Sequence, residues 1–345
     1  MSPPREAEAD VAADAAAARD PAVRAAWLYY VEGLTQEAIA GAMGVSRAKV
    51  IRLLAAARDS GVVRIRIDGK GGEQIALERR LIGALGLAEA VVAPSPVDPA
   101  ATAAIVGEAA GIYMADRVRD GMSIGVGWGQ TLSMSLKAVG AQPRERLAVI
   151  SLLGGMTHSR AVNPSAVARR MADAFGAECY QLTAPVFVAN ERTRAALWRE
   201  PGLEDLLERA RRVELALVSA GDLAQDATLF REGLLPRSEL ATLRSAGAVG
   251  DVLCQFVDAE GRVVDHPVNR RVVAVALADL RRVPAIVLAA GGARKAMVIR
   301  AALRATGARV LITDEAAARA LLALRQANVQ NTTSTKTGAV TTSRR

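Results

Sequence analysis

The segment Gly125-Val126-Gly127-Trp128-Gly129-Gln130-Thr131 is the stretch of this chain best suited to holding an anion. Its glycines let backbone N–H groups approach a negative group, and a helix opening at Thr131 adds the positive end of its dipole. The loop is either a phosphate or carboxylate cradle or a tight structural turn. Its spacing excludes two other phosphate loops: the third glycine comes too early for Gly-x-Gly-x-x-Gly, and no Lys-Ser/Thr follows as in a P-loop. Trp128 either packs on a sugar face or belongs to the core. Gly154-Gly155 follows an apolar run, and Asn163 stands before a proline and a helix, where its amide caps the helix or bonds a sugar hydroxyl. Lys295, after Gly291-Gly292, can reach a phosphate as a point charge. Asp251 and Asp258 offer carboxylates to sugar hydroxyls, or are surface or turn residues. His158 and His266 are the only histidines. His266, in Asp265-His266-Pro267, reads as a packed turn residue, and the carboxylates form no evident pair with histidine support, so no catalytic residue is assigned. Cys179 and Cys254 sit in apolar runs without partners at metal-ligand spacing, which points to buried thiols and to neither a metal nor a cofactor.

A second chemistry lies near the N-terminus. Between Arg24 and Lys70, Arg24, Arg47, Lys49, Arg52, Arg58, Arg64, Arg66 and Lys70 outweigh Glu32, Glu37, Asp59 and Asp68 by a local charge of +4, half of the whole chain's +8. Clustered cations of this kind neutralise phosphates. Asp20-Pro21 starts a helix, Thr35 caps a second through about Met43, Gly44-Val45 breaks it, and Ser46 caps a third. Val50, Ile51 and Leu54 recur at helical spacing, with Arg47, Lys49 and Arg52 on the opposite face. This is a helix-turn-helix pattern, read against a plain packing or dimerisation module. In double-stranded DNA it would place Ser46, Arg47 and Lys49 near base edges and Arg52 and Arg58 near phosphates, with Thr35 and Gln36 opening the helix before them. The alternating run Val62–Ile67 is expected as a wing or strand.

These groups need a scaffold of matching size. At 345 residues the chain exceeds one ordinary core and suffices for two. With 51% hydrophobic and 23% charged residues it reads as globular, and no apolar run reaches membrane length, which places it in the cytoplasm. The expected division is a disordered tract at 1–19, a DNA-binding domain at 20–69, a linker or oligomerisation helix at 70–89, a larger ligand-binding domain at 90–326 and a disordered tail at 327–345. In the larger domain, strands are expected at Ala90–Ala93, Ser123–Gly127, Leu147–Leu153, Glu214–Ser219, Val249–Val257, Val272–Leu277, Ala285–Ala290 and Arg309–Thr313. Helical stretches between them argue for a mostly parallel sheet covered on both faces, with ligands bound outside the carboxyl ends of the strands.

From Leu34-Thr35-Gln36-Glu37-Ala38-Ile39-Ala40 and Gly44-Val45-Ser46-Arg47, through the Gly125–Thr131 loop, Asn163-Pro164, Ala248-Val249-Gly250-Asp251, Asp265-His266-Pro267-Val268-Asn269 and Gly291-Gly292 with Lys295, to Thr313-Asp314-Glu315, the chain resembles the SorC/DeoR-type sugar-binding transcriptional regulators. The resemblance covers residues 22 to 326 in order. It implies a helix-turn-helix, winged-helix-like head joined to a Rossmann-like, sugar-phosphate isomerase-like effector domain in an α/β fold. It also adds Asn269 to the effector-site candidates. The function it implies is a regulator of carbohydrate metabolism whose operator binding responds to a phosphorylated sugar or sugar-like effector, assembled as a dimer or tetramer. Two alternatives stay beside it: an isomerase-like enzyme carrying a DNA-binding head, and an architectural DNA-binding protein without a ligand.

Overall fold

The computed structural model describes residues 20–63, 72–157 and 162–325. The two terminal tracts expected to be disordered, the Arg64–Ile67 part of the expected wing, and His158 lie outside these residues. The chain divides into two compact units, Met1–Gly69 and Lys70–Arg345. Among the described residues no helix is long and apolar enough to cross a membrane.

In the first unit each helix starts where a short polar side chain satisfies orphan N–H groups. Asp20 accepts from Ala22 N at 2.8 Å before α1 (Pro21–Tyr30). Thr35 accepts from Ala38 N at 3.2 Å before α2 (Gln36–Met43). Ser46 accepts from Lys49 N at 3.3 Å before α3 (Arg47–Asp59). Gly44 ends α2 in the left-handed conformation at φ 65°, which sends the chain directly into α3. Ala25, Ile39, Val50 and Leu54 meet in a core built largely of alanine.

The second unit holds a seven-stranded sheet, parallel at every pairing. Its strands are β1 (Glu89–Ala93), β2 (Ser123–Val126), β3 (Ala148–Ser151), β4 (Glu178–Tyr180), β5 (Leu215–Val218), β9 (Ala285–Ala289) and β10 (Val310–Asp314), in the order β1-β10-β9-β5-β2-β3-β4. β6 (Ala220–Asp222), β7 (Gly250–Val252) and β8 (Gln255–Val257) form a separate antiparallel sheet. Period-2 alternation builds two cores from one sheet. Leu215, Leu217, Val287 and Ala289 face a core with α5 (Thr102–Arg117), α6 (Gln130–Val139) and α7 (Pro164–Phe175), while Ala216, Val218, Ile286 and Leu288 face the other. The second core includes α4 (Gly72–Leu85), α14 (Ala296–Thr306) and the helix over 315–325. Between α7 and α14 lie α8 (Glu191–Leu197), α9 (Pro201–Arg211) and α11 (Glu239–Ser245), together with the single turns α10 (Thr228–Arg231), α12 (Pro267–Arg270) and α13 (Leu277–Leu280).

Two sequence expectations change, and one helix gains a definite place. The strand expected over Val249–Val257 is a hairpin, because Leu253 and Cys254 adopt φ of 51° and 62° and the Asp251 carboxylate accepts from Cys254 N at 3.0 Å. Two apolar residues carry a turn that glycine or asparagine normally fills, so no composition signal announced it. The segment Val272–Leu277 makes only isolated bridges, at Val272 to Phe187 and Ala274 to Leu153, and its last residue begins α13. Its backbone groups are divided between two neighbours, so no ladder propagates. The helix expected as a junction, α4, lies on the second unit: Leu77 and Leu81 enter the core, and Glu78 accepts from Val92 N at 2.9 Å on β1.

Candidate functional site

In a parallel sheet, loops diverge where the strand order reverses, and a crevice opens there. β2 is followed through α6 by β3 on one side, whereas β5, its other neighbour, leads on to β9 on the opposite side. The site lies at the carboxyl ends of this pair. The cavity there has a volume of about 80 Å³ and opens to solvent. From the β2 end come Trp128, Gly129, Gln130 and Thr131, and from the β5 end Ser219, Ala220 and Gly221; Thr228, Asp251 and Lys295 close the sides.

Gly129 precedes α6 at φ 109° and ψ 175°, a region essentially reserved for glycine, and no side chain caps the helix start. The first N–H groups of α6 therefore remain available to an anion, with the helix dipole behind them. Trp128 is buried in the larger core yet also walls the cavity. Lys295 comes from the turn after β9. Gly292 N donates to the buried Asp314 at 2.7 Å, and a Cβ on Gly291 would sit 2.7 Å from Val106 Cγ2, so this turn is tied down by backbone approach. The Lys295 ammonium donates to Ala220 O at 3.1 Å. Burial pulls its pKa below the usual lysine range, while Asp222 and Asp251 act the other way.

Asp251 is 4% exposed. Burial pushes its carboxyl up to about 7; the Cys254 N–H and the charge of Lys295 oppose that rise, and Asp222 adds to it. Between pH 4 and 7 the folded chain thus keeps a proton that the unfolded chain has lost. Asp251's contribution to stability falls as pH rises through that window, by up to about 1.4 kcal/mol per pH unit, and levels off above it. Urea unfolding of the wild type and of Asp251→Asn at pH 5, 6 and 7 checks this. The wild-type slope should exceed that of the variant, and parallel slopes would refute the assignment.

The cavity gathers Trp128, Gly129, Gln130, Thr131, Asp251 and Lys295 from the sequence candidates; the rest do not line it. Gly127 is packed under Leu253, where a Cβ would lie 3.0 Å from Leu253 Cδ2. Gly154 admits the Ala184-Pro185 backbone, a Cβ on Gly155 would lie 2.7 Å from Ser165 Oγ, and Gly155 N donates to Ala184 O at 2.8 Å. Asn163 caps α7 by accepting from Ser165 N at 3.2 Å, and its amide donates to Met156 O at 3.0 Å. Asp258 closes a turn by accepting from Glu260 N and Arg262 N. Asn269 donates to Phe256 O and Val264 O and accepts from Phe256 N, which employs its whole amide. His266 caps α12 through Nδ1. The wall at Ser219–Gly221 and Ala227–Leu229 escaped sequence reading, although the strand ending at Ser219 was legible and the strand-end rule points past it.

On the first unit Arg47, Lys49, Arg52 and Arg58 are all exposed. Thr35, Gln36 and Arg47 line an open groove with Tyr29, Gly33, Leu34 and Glu37, and the Arg47 guanidinium stands 4.0 Å from Glu37.

A parallel sheet with a cavity at its switch point, offering a bare helix start and a lysine, defines a domain that binds small molecules. A family of sugar-binding domains matches residues 71–323. The erythritol catabolism regulatory protein of Brucella abortus is 35% identical over 308 residues, covering 87% of this chain and 96% of its own length. The deoxyribonucleoside regulator of Bacillus subtilis is 34% identical, covering 87% of this chain and 96% of its own. The full-length sorbitol operon regulator of Klebsiella pneumoniae superimposes with a TM-score of 0.66 at 25% identity, covering 87% of this chain and 98% of that one. The chain belongs to the SorC/DeoR-type family of sugar-binding transcriptional regulators.

Proposed function

We propose that this protein binds operator DNA through a helix-turn-helix head in its first unit and releases or rearranges on it when a phosphorylated sugar enters the cavity of the second. The observation that carries the ligand class is the convergence of the bare α6 start and the Lys295 ammonium on one cavity. The names of the relatives, which concern erythritol, deoxyribonucleoside and sorbitol, support a carbohydrate-derived effector. In the head, α3 follows the Gly44 turn with Ser46, Arg47 and Lys49 at its start, the part of a recognition helix that meets base edges, and Arg52 and Arg58 reach phosphates. In a dimer or tetramer the ligand favours one subunit arrangement and the operator another, and the difference couples the sites by about 1–3 kcal/mol.

Fluorescence anisotropy on duplexes selected by the full chain from random sequence tests this reading. A sugar phosphate should change DNA affinity by about 5–150-fold, and its unphosphorylated form should not. No response to any member of a broad sugar-phosphate panel would refute it. Arg47→Ala should relax base preference by about 1–3 kcal/mol, whereas Arg58→Ala should weaken selected and random duplexes alike and flatten the salt dependence. Equal effects of both on both duplexes would contradict this placement of α3. Because Asp251 and Lys295 are perturbed titratable groups in one cavity, turnover of aldose and ketose phosphates is measured alongside, and rapid isomerisation would favour the enzyme instead.

A further inference from the structure

Three carboxylates stand around the single lysine of the cavity, an unpromising arrangement for a site that takes anions. Asp251 lowers its own charge by holding a proton more tightly than an ordinary carboxylate. Asp226 is 71% exposed, so water screens it. Asp222 is shielded from water. Its side chain is 8% exposed, and its charge acts on both Lys295 and Asp251. An unscreened carboxylate beside a buried ammonium competes directly with an incoming phosphate, and the low local dielectric magnifies that competition.

Arg294 faces this carboxylate. Its Nε donates to Asp222 Oδ2 at 2.7 Å, and its Nη1 donates to Asp226 at 3.2 and 3.5 Å. The guanidinium thereby joins the turn that carries Lys295 to the segment leading into the Ala227–Leu229 wall. The remaining hydrogen bond to the Asp222 side chain, from Ala224 N at 3.3 Å, leaves its charge in place. We propose that Arg294 makes this cavity select anions: by cancelling the buried charge of Asp222, it leaves the Lys295 ammonium to a phosphate. Arg294 is a positioning residue in this scheme and need not touch the ligand. The inference rests on the reading of the cavity as the effector site.

Inorganic phosphate titrated into the full-length chain by calorimetry, at fixed ionic strength, separates the two ideas. The wild type should saturate and Lys295→Met should not. If the wild type fails to saturate, or both respond alike, the cavity is not an anion site and both ideas fall. With that established, Arg294→Gln should weaken phosphate binding about tenfold, Asp222→Asn should tighten it about threefold, and the double variant should return to within about threefold of wild type. A role for Arg294 confined to bracing the wall would leave the double variant as weak as Arg294→Gln. That result, or an unchanged affinity in Arg294→Gln, overturns the proposal while the site reading survives. Should Arg294→Gln fail to fold, Asp222→Asn decides alone: tighter binding supports the proposal, and equal or weaker binding overturns it.

Discussion

If the proposed site takes a phosphorylated ligand, Lys295→Met should lower its affinity by about 100-fold and should leave the ligand-free fold at least as stable as the wild type. A charge-assisted bond to phosphate contributes about 1.5–3 kcal/mol where water is excluded, and a hundredfold loss corresponds to about 2.7 kcal/mol. The stability half of this result follows from burial. Desolvation already disfavours the ammonium, and a lysine stem replaced by methionine keeps most of its packing volume. No buried charge is stranded, because Asp251 already holds its proton more tightly than usual and Asp222 keeps Arg294. Calorimetry gives the affinity and thermal melting the stability. An affinity within threefold of wild type would remove Lys295 from the site.

Gly111→Leu should unfold the second unit or cost it more than about 3 kcal/mol, out of a total stability of roughly 5–15 kcal/mol for a domain. α5 and α6 pack with almost no space between their backbones. A Cβ on Gly107 would lie 2.7 Å from both Met134 Cβ and Thr131 O, and one on Gly111 would collide with the Ser135 carbonyl oxygen. Backbone cannot step aside as a side chain can, so even Gly111→Ala should cost about 2 kcal/mol. Because α6 begins at the cavity, ligand binding should fall with the fold. Gly41→Ala provides the contrast: a Cβ there meets nothing within 4 Å inside α2, and the substitution should stabilise that helix by about 0.5–1 kcal/mol. Urea unfolding followed by circular dichroism measures all three, and a Gly111→Leu chain as stable as wild type would contradict the close approach of the two helices.

Much of the local architecture was legible because its causes are local. Asp20, Thr35 and Ser46 bond N–H groups two or three residues away, and Gly44 supplies the left-handed turn that ends α2. The apolar runs that became β1, β2, β3, β5, β9 and β10 alternate their burial between two covered faces. The glycine loop before α6 was readable for the same reason, since its backbone conformation belongs to glycine. Other features depended on partners far along the chain. Asn269 and Asp258 have the residue types of sugar ligands, yet their hydrogen bonds go to the backbone around the β7–β8 hairpin and its following turn. The Leu253-Cys254 turn left no trace in composition, because its stability comes from the Asp251 side chain and from burial.

What the sequence by itself determined is the set of helices and strands, the chemistry available at their ends, and the family those motifs resemble. Tertiary structure decided which ends meet. Only the strand order sets β2 beside β5, and only that neighbourhood brings residues 128–131, 219–221, 251 and 295 around one cavity. Caps and periodicities act over a few residues of chain. The order of parallel strands is instead fixed by how apolar faces separated by scores of residues pack on one another.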